Sequence, residues 1–428
     1  MKLITKITAA MLVLGVVASA SADNVVYLTG STAFRSTVYT SLASGAGPGA
    51  GGVFDSAPTY VSRKGSGSSA SYMLFHGNIG GTPTYIDCVW SGSEAGIASA
   101  CNVPIQNTDR NGNTYPLAGS PAVWLKADGT VTGNDTGAPA AGELETTSHG
   151  ADLAQADTSQ AVSLTPKVTA TSTDLKDYGK QGVVTFTWCK NVNTSPTADW
   201  TDLSNITLPQ VHRLLSQGFQ PVGFFTGNSS ETNINVYLVG RNKGSGTRAN
   251  TLVDHNYGPT TKTVQQFSIG GGVWPSDTTT PGTLLLQYEN NDGYESGSGV
   301  AAALGIDGSC GQTDPFTSAA HWLAVGYLGT GDATKSGLTV ANNWLKLDGV
   351  LESNGAIMEG QYYFWGYEHL FGKYGISGYQ DTVGQLIQNA VIYNANATAP
   401  VPANHDGAIG LNYMHCTKTS DVAFPTRL

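Results

Sequence analysis

Short apolar runs alternate with amphipathic stretches along most of the chain, and their spacing predicts strands and helices in turn. NVVYLTG (24–30) reads as a buried strand, and the STAFRSTVYTSL that follows places Phe34, Val38 and Leu42 at i, i+4 and i+8, one face of a helix. VVTFTWC (183–189), INVYLVG (234–240) and HWLAVGYLG (321–329) are rich in β-branched and aromatic residues and read as further strands. Between the first two lies NITLPQVHRLLSQG, which predicts a short helix. Thr207 is its N-cap, Pro209 sits in the first turn, Val211, Leu214 and Leu215 form the apolar face, and Gly218 ends it. GTRANTLVDHN predicts a helix through Ala249, Leu252 and Val253. YYFWGYEHLFGKYG (362–375) and DTVGQLIQNAVIYNA (381–395) predict two more, the last burying Val383, Leu386, Ile387, Ala390 and Val391. From Ser44 to Asn134 the chain is rich in Gly, Ser and Thr and reads as irregular and β-rich. Strands alternating with helices predict an α/β protein with a mostly parallel sheet.

Length and charge narrow the picture. A chain of 428 residues exceeds what one core usually holds, so two lobes are expected. Lys2 and Lys6 precede an apolar stretch, Ala9 to Ala18, and the small-residue pattern Ala20-Ser21-Ala22. This predicts a secretory signal peptide over residues 1–22, cleaved near Ala22, and a periplasmic or secreted mature protein with no membrane span. Loss of the two lysines takes the formal charge from -10 to -10 - 2 = -12, which argues against nucleic acid as a partner. With 40% hydrophobic residues the chain can fill a core, so its 54 glycines point to turns rather than disorder.

Cysteine and histidine placement offers little chemistry. Cys88, Cys101, Cys189, Cys310 and Cys416 show no CxxC spacing; Cys88 and Cys101 could close a local loop as a disulfide, and the odd number leaves a thiol over. The histidines have no metal-ligand order and no cofactor motif is present, so no metal and no cofactor are expected. Residues 329–336 approach a phosphate-binding loop, but Thr334 replaces the glycine before Lys335. No GxSxG elbow occurs, and no enzyme activity is expected.

Four turns share a small hydroxyl residue beside glycine: Gly30-Ser31-Thr32, Gly65-Ser66-Gly67-Ser68-Ser69, Gly244-Ser245-Gly246-Thr247 and Ser296-Gly297-Ser298-Gly299. Glycine lets backbone N–H groups approach a ligand and the hydroxyl adds a neutral donor, so converging turns of this kind suit a tetrahedral anion. Arg241 precedes the third turn by four residues, while Lys243 and Arg248 read as solvated flanks. Arg241 with Ser245-Gly246-Thr247 resembles the arginine and SGT turn of the periplasmic phosphate-binding proteins that serve ABC transporters (PstS-like). Tyr27–Phe34 is similar to that family's first strand and turn, Tyr60-Val61 with Gly65–Ser68 to its second ligand loop, and Ala151–Asp157 to the stretch whose last aspartate faces the ligand. The resemblance continues through Ile206–Val211, Gly299–Ala303 and Ala324–Leu328 and covers most of the mature chain. It departs in a much longer segment before Asp157, a first turn one residue shorter, and no proline at Tyr362-Tyr363.

The resemblance implies a two-lobed, type 2 periplasmic-binding-protein fold, each lobe a mixed, mostly parallel sheet flanked by helices and joined by hinge strands. Residues 23–185 and 324–428 would form the first lobe, with a Gly/Ser/Thr-rich insertion at about 76–150, and 186–323 the second. It implies an extracytoplasmic monomer that captures inorganic phosphate in the interlobe cleft for an ABC permease. The ligand residues would be Ser31, Thr32, Ser66, Ser68, Asp157, Arg241, Ser245, Gly246 and Thr247. Asp157 would accept the proton that phosphate still carries at neutral pH and Arg241 would hold Asp157 in place. Two alternatives remain beside this reading: a surface or matrix adhesion protein of the same fold, and a binder of another oxyanion, sulfate or molybdate.

Overall fold

The computed structural model describes residues 23–109, 111–117, 119, 122–270, 286–306 and 313–428; the expected signal peptide and Cys310 lie outside them. The strands are β1 (Asn24–Gly30), β2 (Thr59–Arg63), β3 (Tyr72–Ile79), β4 (Thr82–Val89), β5 (Gln106–Thr108), β6 (Thr114–Pro116), β7 (Leu153–Ala156) and β8 (Lys176–Lys190). There follow β9 (Asn205–Ile206), β10 (Phe219–Pro221), β11 (Asn235–Val239), β12 (Gln266–Ile269), β13 (Leu286–Asn290), β14 (Leu323–Gly329), β15 (Trp344–Leu347) and β16 (Trp365–Gly372).

One strand joins the two lobes. The first part of β8 pairs with β16, and its last five residues, Phe186–Lys190, pair with β14. On one side the order runs β8-β16-β7-β1-β4-β3-β2, and on the other β8-β14-β11-β12-β13. Each side is a mixed sheet: pairing is parallel around β1 and around β11, and antiparallel towards the margins and along β8. Fifteen residues in extended form span roughly 50 Å at about 3.3 Å each, enough for β8 to belong to both sides.

Apolar packing is continuous across that join. Phe34, Val38 and Leu42, from helix Arg35–Ala43 and the turn before it, share a core with Phe186, Trp188, Leu238, Tyr327 and Trp365. The helix Gly378–Ala395 adds Val383, Ile387, Ala390 and Val391, while Leu386 is only partly buried. Helix Leu208–Gln217 begins as its sequence predicts: the Thr207 N–H donates to Gln210 Oε1 at 2.7 Å, and Gly218 ends it with φ 79°.

Three sequence expectations fail for identifiable reasons. Residues 362–375 hold the strand β16 instead of a helix, and all eight of its residues are buried. A strand covered on both faces has no polar alternation, so its apolar run can pass for a helix face. The helix Ser93–Ala100, SEAGIASA, lies inside the stretch expected to be irregular. Cys88 and Cys101 are unpaired thiols. Cys88 stands opposite Leu28 in register, on the face shared with Leu153, whereas Cys101 packs against Ala154 and Ala156. Neighbouring strand residues point to opposite faces, so the sheet itself separates the two sulfurs.

Candidate functional site

Beyond β11 the chain turns through Gly240–Ser245 into the fully buried helix Gly246–Asp254. Ser245 caps it, its hydroxyl accepting from the Arg248 N–H at 3.2 Å. Gly246 follows, and a Cβ there would stand 1.5 Å from Asp157 Oδ1 and 2.6 Å from Ser93 Oγ. Only glycine lets the Asp157 carboxylate rest on this helix start, where the backbone presents positive partial charge.

Asp157 follows β7 and is 2% exposed. Its N–H donates to Ser93 Oγ at 3.2 Å, and its carbonyl accepts from Asn250 Nδ2 at 2.8 Å. Burial pushes its carboxyl up to about 6, with Ser93 and the Arg241 charge pulling the other way. Arg241, also 2% exposed, is fixed on all sides. Its Nε donates to the Tyr294 carbonyl at 3.3 Å, Nη2 to the Glu295 carbonyl at 2.9 Å, and Nη1 to Thr247 Oγ1 at 3.4 Å. Burial lowers its pKa, opposed by Asp332 and then Asp157.

The turn reaches across to the opposite lobe. The Gly244 carbonyl accepts from the Glu94 and Ala95 N–H groups at 3.1 and 3.3 Å, so a backbone oxygen occupies the N-terminus of helix Ser93–Ala100. Nearby the β5–β6 hairpin closes on Asp292, which accepts from Asn107 Nδ2 at 2.5 Å and Tyr115 OH at 2.8 Å.

A second helix start faces open space. Ser296 caps helix Gly297–Leu304, its hydroxyl accepting from the Gly299 N–H at 3.1 Å, and a Cβ on Gly297 would meet Asp332 Oδ2 at 2.0 Å. This start lines a cleft of about 610 Å³, bounded across from it by Thr32, Arg35, Trp90 and Ser91.

The structure therefore brings Asp157, Arg241, Ser245, Gly246 and Thr247 into one buried group. Ser31 joins it from the first turn, its N–H bonded to the Gln155 carbonyl at 2.8 Å and its hydroxyl beside Glu368. Thr32 faces the cleft. Ser68 borders a small recess with Thr32 and Arg35, and Ser66 is exposed and lines neither space. Arg248 is buried, contrary to its expected place as a solvated flank: Nη1 donates to the Arg241 and Asn291 carbonyls at 3.1 and 3.0 Å, bracing the turn from below. Lys243 is partly buried. Sequence reasoning missed Ser93, Asp332 and Glu368. Ser93 opens a helix hidden in a Gly/Ser-rich stretch, and Glu368 sits in the run misread as helical. Among the described residues no group of His, Cys, Asp and Glu is arranged to hold a metal, and no helix is long and apolar enough to cross a membrane.

No family model matches the sequence, and no match was found among curated proteins. Solved structures do match in chain path. One, described as a substrate-binding protein of a phosphate ABC transporter from Clostridium perfringens with bound phosphate, is 12% identical with a TM-score of 0.41, over 85% of this chain and 93% of that one. An ABC-type phosphate transport receptor from Vibrio cholerae is 12% identical with a TM-score of 0.39, over 85% and 94%. PstS from Borrelia burgdorferi is 11% identical with a TM-score of 0.33, over 86% and 92%. At these values the likeness assigns no fold, ligand or residue role, and the α/β architecture rests on the chain's own strands and helices.

Proposed function

We propose that the protein captures a tetrahedral oxyanion, inorganic phosphate fitting best, between its two lobes outside the cytoplasm, for delivery to an ABC permease. The observation that carries this reading is the convergence of Asp157 and Arg241, each 2% exposed, on the capped helix start Ser245-Gly246-Thr247. Main-chain N–H groups and the Ser245 and Thr247 hydroxyls would hold oxygens without needing a countercharge for each. Arg241 would offset the anion's charge, and an ionised Asp157 would accept a proton from hydrogenphosphate but repel sulfate. In the present conformation Asp157 rests on Gly246, so a ligand enters as the lobes part and displaces that carboxylate. Titration calorimetry with phosphate, sulfate and molybdate tests the reading; heat with phosphate is expected, and none with any of the three would overturn it.

The contacts of Gly244 and Asp292 across the cleft favour a second reading, in which the closed fold is a surface or matrix protein held shut. Small-angle scattering separates the two: transport predicts a smaller radius of gyration on adding phosphate, whereas the closed reading predicts no change.

A further inference from the structure

Glu368 lies in β16 beside Asp157. His369 stands opposite Ala156, the last residue of β7, so Glu368 is the next residue of β16 and Asp157 the next after β7, near enough for the Asp157 charge to act on Glu368. Glu368 is fully buried, and among the described residues the Ser31 hydroxyl beside it is the one hydrogen-bonding group that acts on its carboxylate, without reaching either oxygen at full hydrogen-bond geometry. Asp157 Oδ1 and the Ser31 hydroxyl likewise lack a partner at full hydrogen-bond geometry, although Ser31 is close enough to favour ionised Glu368.

The charged surroundings of this pair are one-sided. From helix Ser93–Ala100 comes Glu94, held by Thr158 Oγ1 at 3.0 Å and the Leu164 N–H at 2.6 Å. From the C-terminal segment comes Asp421, which accepts from the Ser159 N–H at 2.8 Å. Arg241 is the cation that acts on Asp157, and its guanidinium donates to main-chain carbonyls and Thr247. On Glu368 the acting groups are burial, the Asp157 charge and the Ser31 hydroxyl, with no cation among them. His369, the next residue, alternates to the other face and meets Asp177 at 3.4 Å. Two adjacent carboxylates away from water, with a single cation to one side, do not both ionise near neutrality; they titrate as a unit.

We propose that Glu368 is the proton-holding partner of Asp157 and sets the pH below which the site takes a fully ionised oxyanion, such as sulfate, as well as phosphate. The role in selectivity rests on the oxyanion reading above; the shared proton does not. With the pair ionised once, a carboxylate facing the ligand accepts only from a protonated anion. With a further proton bound, Asp157 instead donates, and a fully ionised oxyanion is no longer repelled. Asp157 is then also freed from its electrostatic hold on the Gly246 helix start, which clears that start for an external anion.

The test joins infrared spectroscopy to calorimetry. Wild-type protein at pH 7 should show protonated-carboxyl C=O intensity, of which Glu368→Gln loses one component, and Asp157→Asn should keep that component but move its titration. Sulfate affinity relative to phosphate should rise at least tenfold from pH 8 to pH 5 in the wild type, and the transition should move in Glu368→Gln. An unchanged carboxyl band in Glu368→Gln overturns the shared proton, and the same sulfate-to-phosphate ratio at both pH values overturns the role in selectivity. If neither anion gives heat, the oxyanion reading and the selectivity fall together, and the infrared result still decides the shared proton.

Discussion

Two helix starts in this protein are built alike and placed differently. Ser245-Gly246 and Ser296-Gly297 each present a serine cap, a glycine in the first helical position and an aspartate carboxylate resting on that glycine. The first is sealed by Ser93, Asn250 and the buried Arg241; the second opens onto the cleft of about 610 Å³. The same local chemistry therefore acts in two media. In the sealed start every hydrogen bond and charge is felt through a low dielectric, and in the open one water shares the load. On the proposed oxyanion reading, capacity to hold an anion would follow from the turn, and discrimination among anions from what closes over it.

The largest break in this comparison should come from adding a methyl group. Gly246→Ala drives a Cβ into the buried Asp157 carboxylate and the Ser93 hydroxyl, and should cost about 3 kcal/mol of stability in urea unfolding. Gly297→Ala meets Asp332, which is only partly buried and lines the cleft, and should cost less, about 1 kcal/mol. Equal costs would mean that the two starts are equally confined.

The next effect depends on pH. Asp157 is raised in the folded state from 3.8 to about 6, so the folded protein holds its proton more tightly than the unfolded chain does. Its contribution to stability is then greatest below pH 3.8 and declines as pH rises through about 6, by on the order of 2–3 kcal/mol. Asp157→Asn should remove that slope, so its stability relative to wild type rises between pH 4 and pH 7; parallel profiles from thermal or chemical unfolding would contradict the assignment.

Binding gives a smaller reading. Thr247→Val keeps the shape of the turn but removes its hydroxyl, and should weaken phosphate by about 1 to 3 kcal/mol in calorimetry, with unchanged affinity removing Thr247 from the site. Smallest of all should be the caps. Ser245→Ala should cost about 1 kcal/mol, and Ser296→Ala about half of that, because water can serve the open start. Unfolding midpoints of the two variants measure the difference directly.

What could be read from the sequence follows contact distance along the chain. The strand β11, the arginine four residues before Ser245 and the cap itself lie within a few positions of one another, so pattern alone places them. Glu368 and Asp157 are neighbours only because β16 lies beside β7, and Ser93 meets Gly246 only through docking of two separate helices. No local period encodes those meetings. Arg248 misled for the same reason: its sequence surroundings are those of a surface helix, but Asn291 and the Arg241 carbonyl, each brought in by tertiary packing, make it an internal brace. Cys88 and Cys101 show the converse, since 13 residues of separation suggested a bond that the intervening sheet prevents.

The Gly244 carbonyl gives the molecule a sense of time. It satisfies two amide groups, those of Glu94 and Ala95, from the opposite lobe, and parting the lobes strips both of their acceptor at once. That loss falls on the barrier to opening, not on the grip around a bound ion. A ligand enclosed behind this turn would leave only after those two bonds break together with the contacts of Asn107 and Tyr115 to Asp292, so residence time could be changed by altering the turn while the ion's own contacts stay as they are.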